Sequence, residues 1–199
     1  MKKGKNSLNE RQKITHYFRP NFWVNTPDIL PEHLQIGIKA SFLSRLLLAA
    51  TLSSNYGMYG PAFELMLSEA IEGKEEYKDS EKYEIKNWSA LKRNRIDDFI
   101  SLVNHIRKNN PALQDTYNLE FFFIPNDFLL AFGKYDRNEK NYLIVVISLD
   151  YENPQSGMLE IPLDRLGISE DKPFMVHDLL TNHRYIWQGR RHYIELRPY

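Results

Sequence analysis

Residues 18–30 read FRPNFWVNTPDIL. An aromatic run that needs a buried environment ends in a polar Asn25-Thr26-Pro27-Asp28 corner, about two dozen residues from the start of the chain. The first six or seven residues have the β-prone character of a short buried strand. Pro27 fixes its own φ and pushes Thr26 into an extended conformation, so the strand stops in a stiff turn that aims the Asp28 side chain reproducibly. A strand of this kind needs neighbours on both sides.

The sequence downstream offers only some of them. IKASFLSRLLLAATLS places Phe42, Leu46, Ala49 and Ala50 on one helical face without an internal Pro or Gly, which predicts a helix buried over much of its circumference. NYGMYG then predicts a short buried strand and a turn. EGKEEYKDSEKYEIKNW is dense in charge and reads as an exposed irregular excursion. In WSALKRNRIDDFISLVNHIRKNN, the positions Leu91, Ile96, Phe99, Ile100, Val103 and Ile106 recur at three- and four-residue steps, predicting an amphipathic helix that Ser89 could cap and that stops before Pro111. Strand-helix-strand-helix order belongs to a parallel sheet, and one or two strands do not make one. The expectation is that further strands lie upstream, and that the apolar faces of 18–24 and of Leu46 to Leu48 are left exposed.

Beyond Pro111 the period shortens. LEFFFI, DFLLAFGKY, NYLIVVISLD, GMLEIPL, PFMVHDLL, HRYIWQG and HYIELRP are β-prone runs separated by turn residues, the pattern of an antiparallel sandwich or small barrel. The expected division is 1–110 and 111–199.

Composition narrows the function classes. A hydrophobic content of 42% is ample for a packed core, and 26 basic residues against 26 acidic ones leave no global field to favour nucleic acid or an anionic membrane. The absence of cysteine excludes disulfides and thiolate chemistry and fits a reducing cytoplasm. No signal-peptide core and no run of about 18 apolar residues occurs, so the expectation is a cytoplasmic chain with no membrane partner. The six histidines show no metal-binding spacing, and no phosphate loop or nucleophile elbow stands out; no metal and no cofactor are expected.

Candidate chemistry is sparse. Asp28 stands at the C-terminal end of a buried strand, where barrel enzymes keep reactive groups, or else caps the turn or helix at ILPEHL. YKDSEKY, 77–83, combines carboxylates, ammonium groups and phenols that can bind sugar hydroxyls, or is a solvated charged loop. Glu64 follows a Gly-Pro turn and reads as a surface or helix-start glutamate. Tyr185, Trp187 and Tyr193 could stack on sugar or simply fill a core.

Taken in order, FRPNFWVNTPDIL, LAATLSSNYGMYG, FEL, EEYKDSEKYEIKNW, IRKNNPALQ and HDLLTNHRYIWQGRRHYIELRP resemble the C-terminal third of the bacterial maltosyltransferases that extend α-1,4-glucan from maltose 1-phosphate, members of the α-amylase superfamily (glycoside hydrolase family 13). The resemblance runs from about residue 15 to the end. It implies an α+β fragment: the last strands and helices of a (β/α)8 catalytic barrel within 1–110, with an inserted charged loop, and an all-β antiparallel sandwich over 111–199. It also implies a retaining double displacement in which Asp28 matches the carboxylate supporting the transition state. Lys82 and Tyr83 match residues holding the non-reducing sugar, and Asn25 is a further substrate-binding candidate. Asn25-Thr26-Pro27-Asp28 lacks the histidine of the ordinary amylase signature at this position, as the maltosyltransferases do. The implied partners are maltose 1-phosphate and α-1,4-glucan, with a homodimer at full length. Nucleophile and acid/base lie on earlier strands in the family, so the 199 residues alone are expected to be inactive. The competing expectations are a non-catalytic glucan-binding β-sandwich module and part of a sister hydrolase or glucanotransferase.

Overall fold

In the computed structural model, residues 20–82, 84–90 and 95–198 are described. The aromatic run yields a short strand, β1 (Phe22–Trp23). Helix α1 (Glu32–Gln35) and the long α2 (Lys39–Leu52) follow, then β2 (Tyr56–Gly57), which pairs with β1 in parallel, Phe22 beside Tyr56 and Trp23 beside Gly57. The Trp23 ring lies so close over Gly57 that a β-carbon there would stand 2.5 Å from it, so only glycine permits the approach. Helix α3 (Gly60–Glu64), a 3-10 turn at Trp88–Ala90 and helix α4 (Asp97–Asn109) complete this half.

Helix α2 is buried on nearly every side. Phe42, Leu46, Ala49 and Ala50 are all inaccessible or nearly so, and pack with Val24, Leu34, Phe63, Ile100 and Val103. Each of the larger of these side chains contributes about 1.5–3 kcal/mol through its removal from water, and each alanine less. The sequence alone predicts a bare patch around Leu46 to Leu48. Instead Leu46 is fully buried, and Leu47, Leu48 and Leu52 pack against Leu130, Phe132 and Ile147 of the β-rich half. The patch is covered because the second half of the chain lies against it.

Helix α4 starts at Asp97, and Ser89 does not cap it: the Ser89 hydroxyl, in the preceding 3-10 turn, donates to the side chain of Asn87 just before that turn. Asp97 and Asp98 in the first turn and Arg107 and Lys108 in the last suit the helix dipole instead. Leu91 lies outside the described residues.

All seven β-prone runs form strands. β3 (Leu119–Phe121), β4 (Leu129–Asp136) and β5 (Asn141–Ser148) make one antiparallel sheet in that order. β6 (Gln155–Glu160) is followed by helix α5 (Leu163–Leu166) and then by β7 (Phe174–His177), β8 (Arg184–Trp187) and β9 (Arg191–Leu196). β6 pairs with β9 and β7 with β8, both antiparallel. Leu129 and Ala131 from the first sheet meet Leu159, Ile194 and Leu196 from the second and Phe174 and Trp187 from the third in one core. The whole is an α+β protein with one parallel strand pair and three antiparallel sheets, and no closed barrel among the described residues.

Two cations are buried where the halves meet. The Arg107 guanidinium, on α4, donates to the carbonyls of Ala50, Ser53 and Ser54 at the end of α2 and lies 5.1 Å from the Tyr56 ring centre. It therefore satisfies carbonyls that a helix end leaves unpaired. Lys134, in the middle of β4, is fully buried and donates to the main-chain oxygen of Asp115. Burial pulls its pKa from the ordinary 10.5 down to about 8. Close by, the Ser54 and Thr116 hydroxyls share a hydrogen bond of 2.6 Å.

Candidate functional site

The chain leaves β1 at Val24 and enters the polar corner. Thr26 organises it: its hydroxyl accepts the N–H of Ile29 at 3.1 Å and donates to Asp28 Oδ1 at 3.1 Å, while its own N–H donates to the Ile29 carbonyl at 3.3 Å. The Asp28 side chain is half-buried, and Thr26 is the only group among the described residues that donates to it. Asp28 is not a helix cap. Helix α1 has no side-chain cap from its own N-cap residue, and its Glu32 N–H is taken by Glu75 Oε1 at 2.6 Å.

Glu75 belongs to a segment laced along the corner. Leu30 N–H donates to the Glu75 carbonyl and Tyr77 N–H to the Asp28 carbonyl, each at 3.1 Å, about an antiparallel bridge between Ile29 and Glu76. The charged excursion is thus anchored at its start beside Asp28, a contact that its composition does not announce. Lys82, exposed, has its ammonium 3.9 Å from Glu76 of the same rung. Tyr83 lies outside the described residues.

Asn25 is 2% exposed, and its amide faces protein. Nδ2 donates to the Tyr77 hydroxyl at 2.9 Å and to the Tyr59 carbonyl at 3.2 Å, and Oδ1 accepts the Tyr59 N–H at 3.0 Å. Both amide hydrogens are spent, so a sugar hydroxyl would have to compete with them. The Tyr77 phenol is pushed up to about 12 by burial, offset in part by the bond from Asn25, and stays neutral at any ordinary pH. Tyr77 and Thr26 were therefore hidden in stretches that the sequence did single out, but without individual roles.

Around this corner, Arg45 of α2 donates to the Val24 carbonyl at 3.3 Å and to that of Trp23. His33 is held below its ordinary pKa by burial and then by Arg45, and its ring lies 6.4 Å from that of Tyr151. The remaining candidates lie elsewhere. Glu64 pairs with Arg95 at 3.0 Å beside the start of α4. Trp187 stacks on His192 at 4.1 Å, edge-on to Phe174, and faces the core; Tyr185 and Tyr193 are exposed on separate strand pairs, so the three form no shared platform. A cavity of about 270 Å³ between Leu43, Arg95, Ile96 and Phe99 contains none of Asn25, Asp28 and Lys82. Among the described residues no group of three potential metal ligands occurs, and no helix is long and apolar enough to cross a membrane.

Residues 121–199 match the protein family described as GLGE, C-terminal. The chain is 46% identical over 193 residues to the α-1,4-glucan:maltose-1-phosphate maltosyltransferase of Chlorobaculum tepidum, covering 94% of this chain and 29% of that protein. It is 46% identical over 186 residues to the protein of the same name from Methylacidiphilum infernorum, covering 93% and 28%, and 47% identical over 184 residues to that of Rhodospirillum rubrum, covering 92% and 26%. By name these relatives are transferases acting on a sugar phosphate. The chain corresponds to the C-terminal portion of these α-1,4-glucan:maltose-1-phosphate maltosyltransferases. It spans less than a third of the length of the curated relatives it matches.

Proposed function

We propose that the chain is the C-terminal portion of an enzyme that moves a maltosyl unit from maltose 1-phosphate to the non-reducing end of an α-1,4-glucan. The observation that carries this reading is the Asp28 corner: a carboxylate at the end of a strand paired in parallel, fixed by Thr26 and laced to the segment that bears Lys82. In a retaining double displacement one carboxylate attacks the anomeric carbon and a second acid protonates the leaving oxygen. Asp28 takes the third role. With one oxygen held by Thr26, its carboxylate accepts hydrogen bonds from sugar hydroxyls that strengthen as positive charge develops at the ring.

Lys82 and Tyr83 hold the outer sugar of the maltosyl unit in this reading. The nucleophile and acid/base come from parts of the full-length enzyme outside the 199 residues, which by themselves are silent. The parallel β1–α2–β2 unit fits the closing strands of a (β/α)8 barrel within 1–110, and the three antiparallel sheets fit a sandwich over 111–199. The assembly this implies is a homodimer in the cytoplasm. The test is phosphate release from maltose 1-phosphate with a maltooligosaccharide acceptor by the full-length protein. Activity in the wild type and its loss by at least about a hundredfold in Asp28→Asn support the reading; no phosphate release by the wild type refutes it.

A further inference from the structure

Two buried side chains connect the segments that carry the proposed site. Asn25 precedes the Asp28 corner, and Tyr77 lies on the segment that leads to Lys82. They are 2% and 4% exposed, and their side chains meet at 2.9 Å. On one side, Asn25 also grips both main-chain polar groups of Tyr59, just beyond β2, at 3.2 and 3.0 Å. On the other, the Tyr77 N–H holds the Asp28 carbonyl at 3.1 Å, and the neighbouring Glu76 faces the Lys82 ammonium.

Main-chain bonds alone fix only the start of the charged excursion. Toward the Asp28 corner the segment is held by two main-chain rungs, from the Leu30 and Tyr77 amides, while its other edge pairs with 69–71 through the Ile71 amide to the Glu76 carbonyl and the Lys78 amide to the Glu69 carbonyl. Only two main-chain rungs therefore keep it beside the corner, and so short a ladder opens readily. To these rungs and the exposed bonds that tie Glu75 and Lys74 to α1, the Asn25–Tyr77 bond adds a buried attachment on the strand side of the corner. Because both partners are shielded from water, breaking it leaves Asn25 with an unpaired donor.

We propose that Asn25 and Tyr77 are positioning residues, whose hydrogen bond sets the spacing between the Asp28 carboxylate and the segment bearing Lys82. The proposal rests on the reading of Asp28 and Lys82 as parts of a maltosyl site, and it replaces the role of Asn25 as a direct sugar ligand. Neither residue exchanges a proton with substrate. Their effect is on the placement of two groups that grip different parts of one disaccharide unit, to which a transition state is more sensitive than a ground state.

The experiment uses the full-length protein with Tyr77→Phe, Asn25→Ala and the double substitution, comparing initial rates of phosphate release from maltose 1-phosphate with melting curves. Each single change is expected to lower kcat about tenfold or more while KM stays within about twofold, with the double variant no worse than the worse single one. Tyr77→Phe keeps the ring and is the variant expected to fold. Hydrogen exchange at the Leu30 and Tyr77 amides supplies a readout independent of activity, and Tyr77→Phe is expected to lower protection at both by about tenfold. Folded Tyr77→Phe with wild-type kcat, multiplicative losses in the double variant, or unchanged protection of the two amides overturns the proposal. An inactive wild type with the expected exchange pattern instead sinks the maltosyltransferase reading and leaves the clamp standing.

Discussion

Replacing Lys134 with methionine should flatten the rise of stability with alkaline pH. The methionine keeps the length of the stem and removes only the ammonium, which is fully buried in β4 with the Asp115 carbonyl as its acceptor. In the folded protein burial lowers the lysine pKa to about 8, against an ordinary 10.5. Between those values the unfolded chain holds a proton that the folded chain has released, so stability increases as pH rises through this window. From about pH 7 to about pH 9.5 the gain from this one group is roughly 2 kcal/mol, before the buried tyrosines begin to titrate. The assay is denaturant unfolding of the purified chain across that range at constant ionic strength. Wild type should gain stability while Lys134→Met stays level. Parallel curves would refute the reasoning, and would mean that water reaches the ammonium in a way its burial denies.

Arg107→Met should cost at least about 3 kcal/mol, because the Ala50, Ser53 and Ser54 carbonyls lose the donor that reaches them inside the protein; equilibrium unfolding checks it, and wild-type stability would argue that water replaces the guanidinium. Gly133→Ala places a β-carbon 2.3 Å from the tip of the buried Phe122 ring and should destabilise by about 1–3 kcal/mol. Adding Phe122→Leu should recover part of that loss, and a double variant no more stable than Gly133→Ala would point to another cause.

Much of the fold was legible because local pattern and burial agree. The seven β-prone runs each became a strand, since Gly, Pro and Asn turns isolate them and alternation lets them pair. The helical face Phe42, Leu46, Ala49 and Ala50 was readable for the same reason. The opposite face of α2 misled because periodicity says which side chains need cover and never what supplies it: Leu47, Leu48 and Leu52 found it in Phe132 and Ile147, some eighty residues or more along the chain. Ser89 misled because a good capping residue is also a good turn residue, and Trp88–Ala90 made a turn. At the site, Asp28 could be nominated from a strand ending in Pro-Asp, and the Thr26 turn bonds are local ones, whereas Glu75 and Tyr77 act through long-range bonds that leave no mark in local sequence.

The covering of α2 bears on how this protein can be dissected. The family match begins at 121, which would suggest excising 121–199 as a unit. Such a cut removes Leu119 from the edge of the first sheet and strips Leu47, Leu48 and Leu52 from Phe132 and Ile147, turning a closed face into an adhesive one. A soluble piece for binding or crystallographic work has to begin upstream of Lys39, so that the helix travels with the sheet it shields.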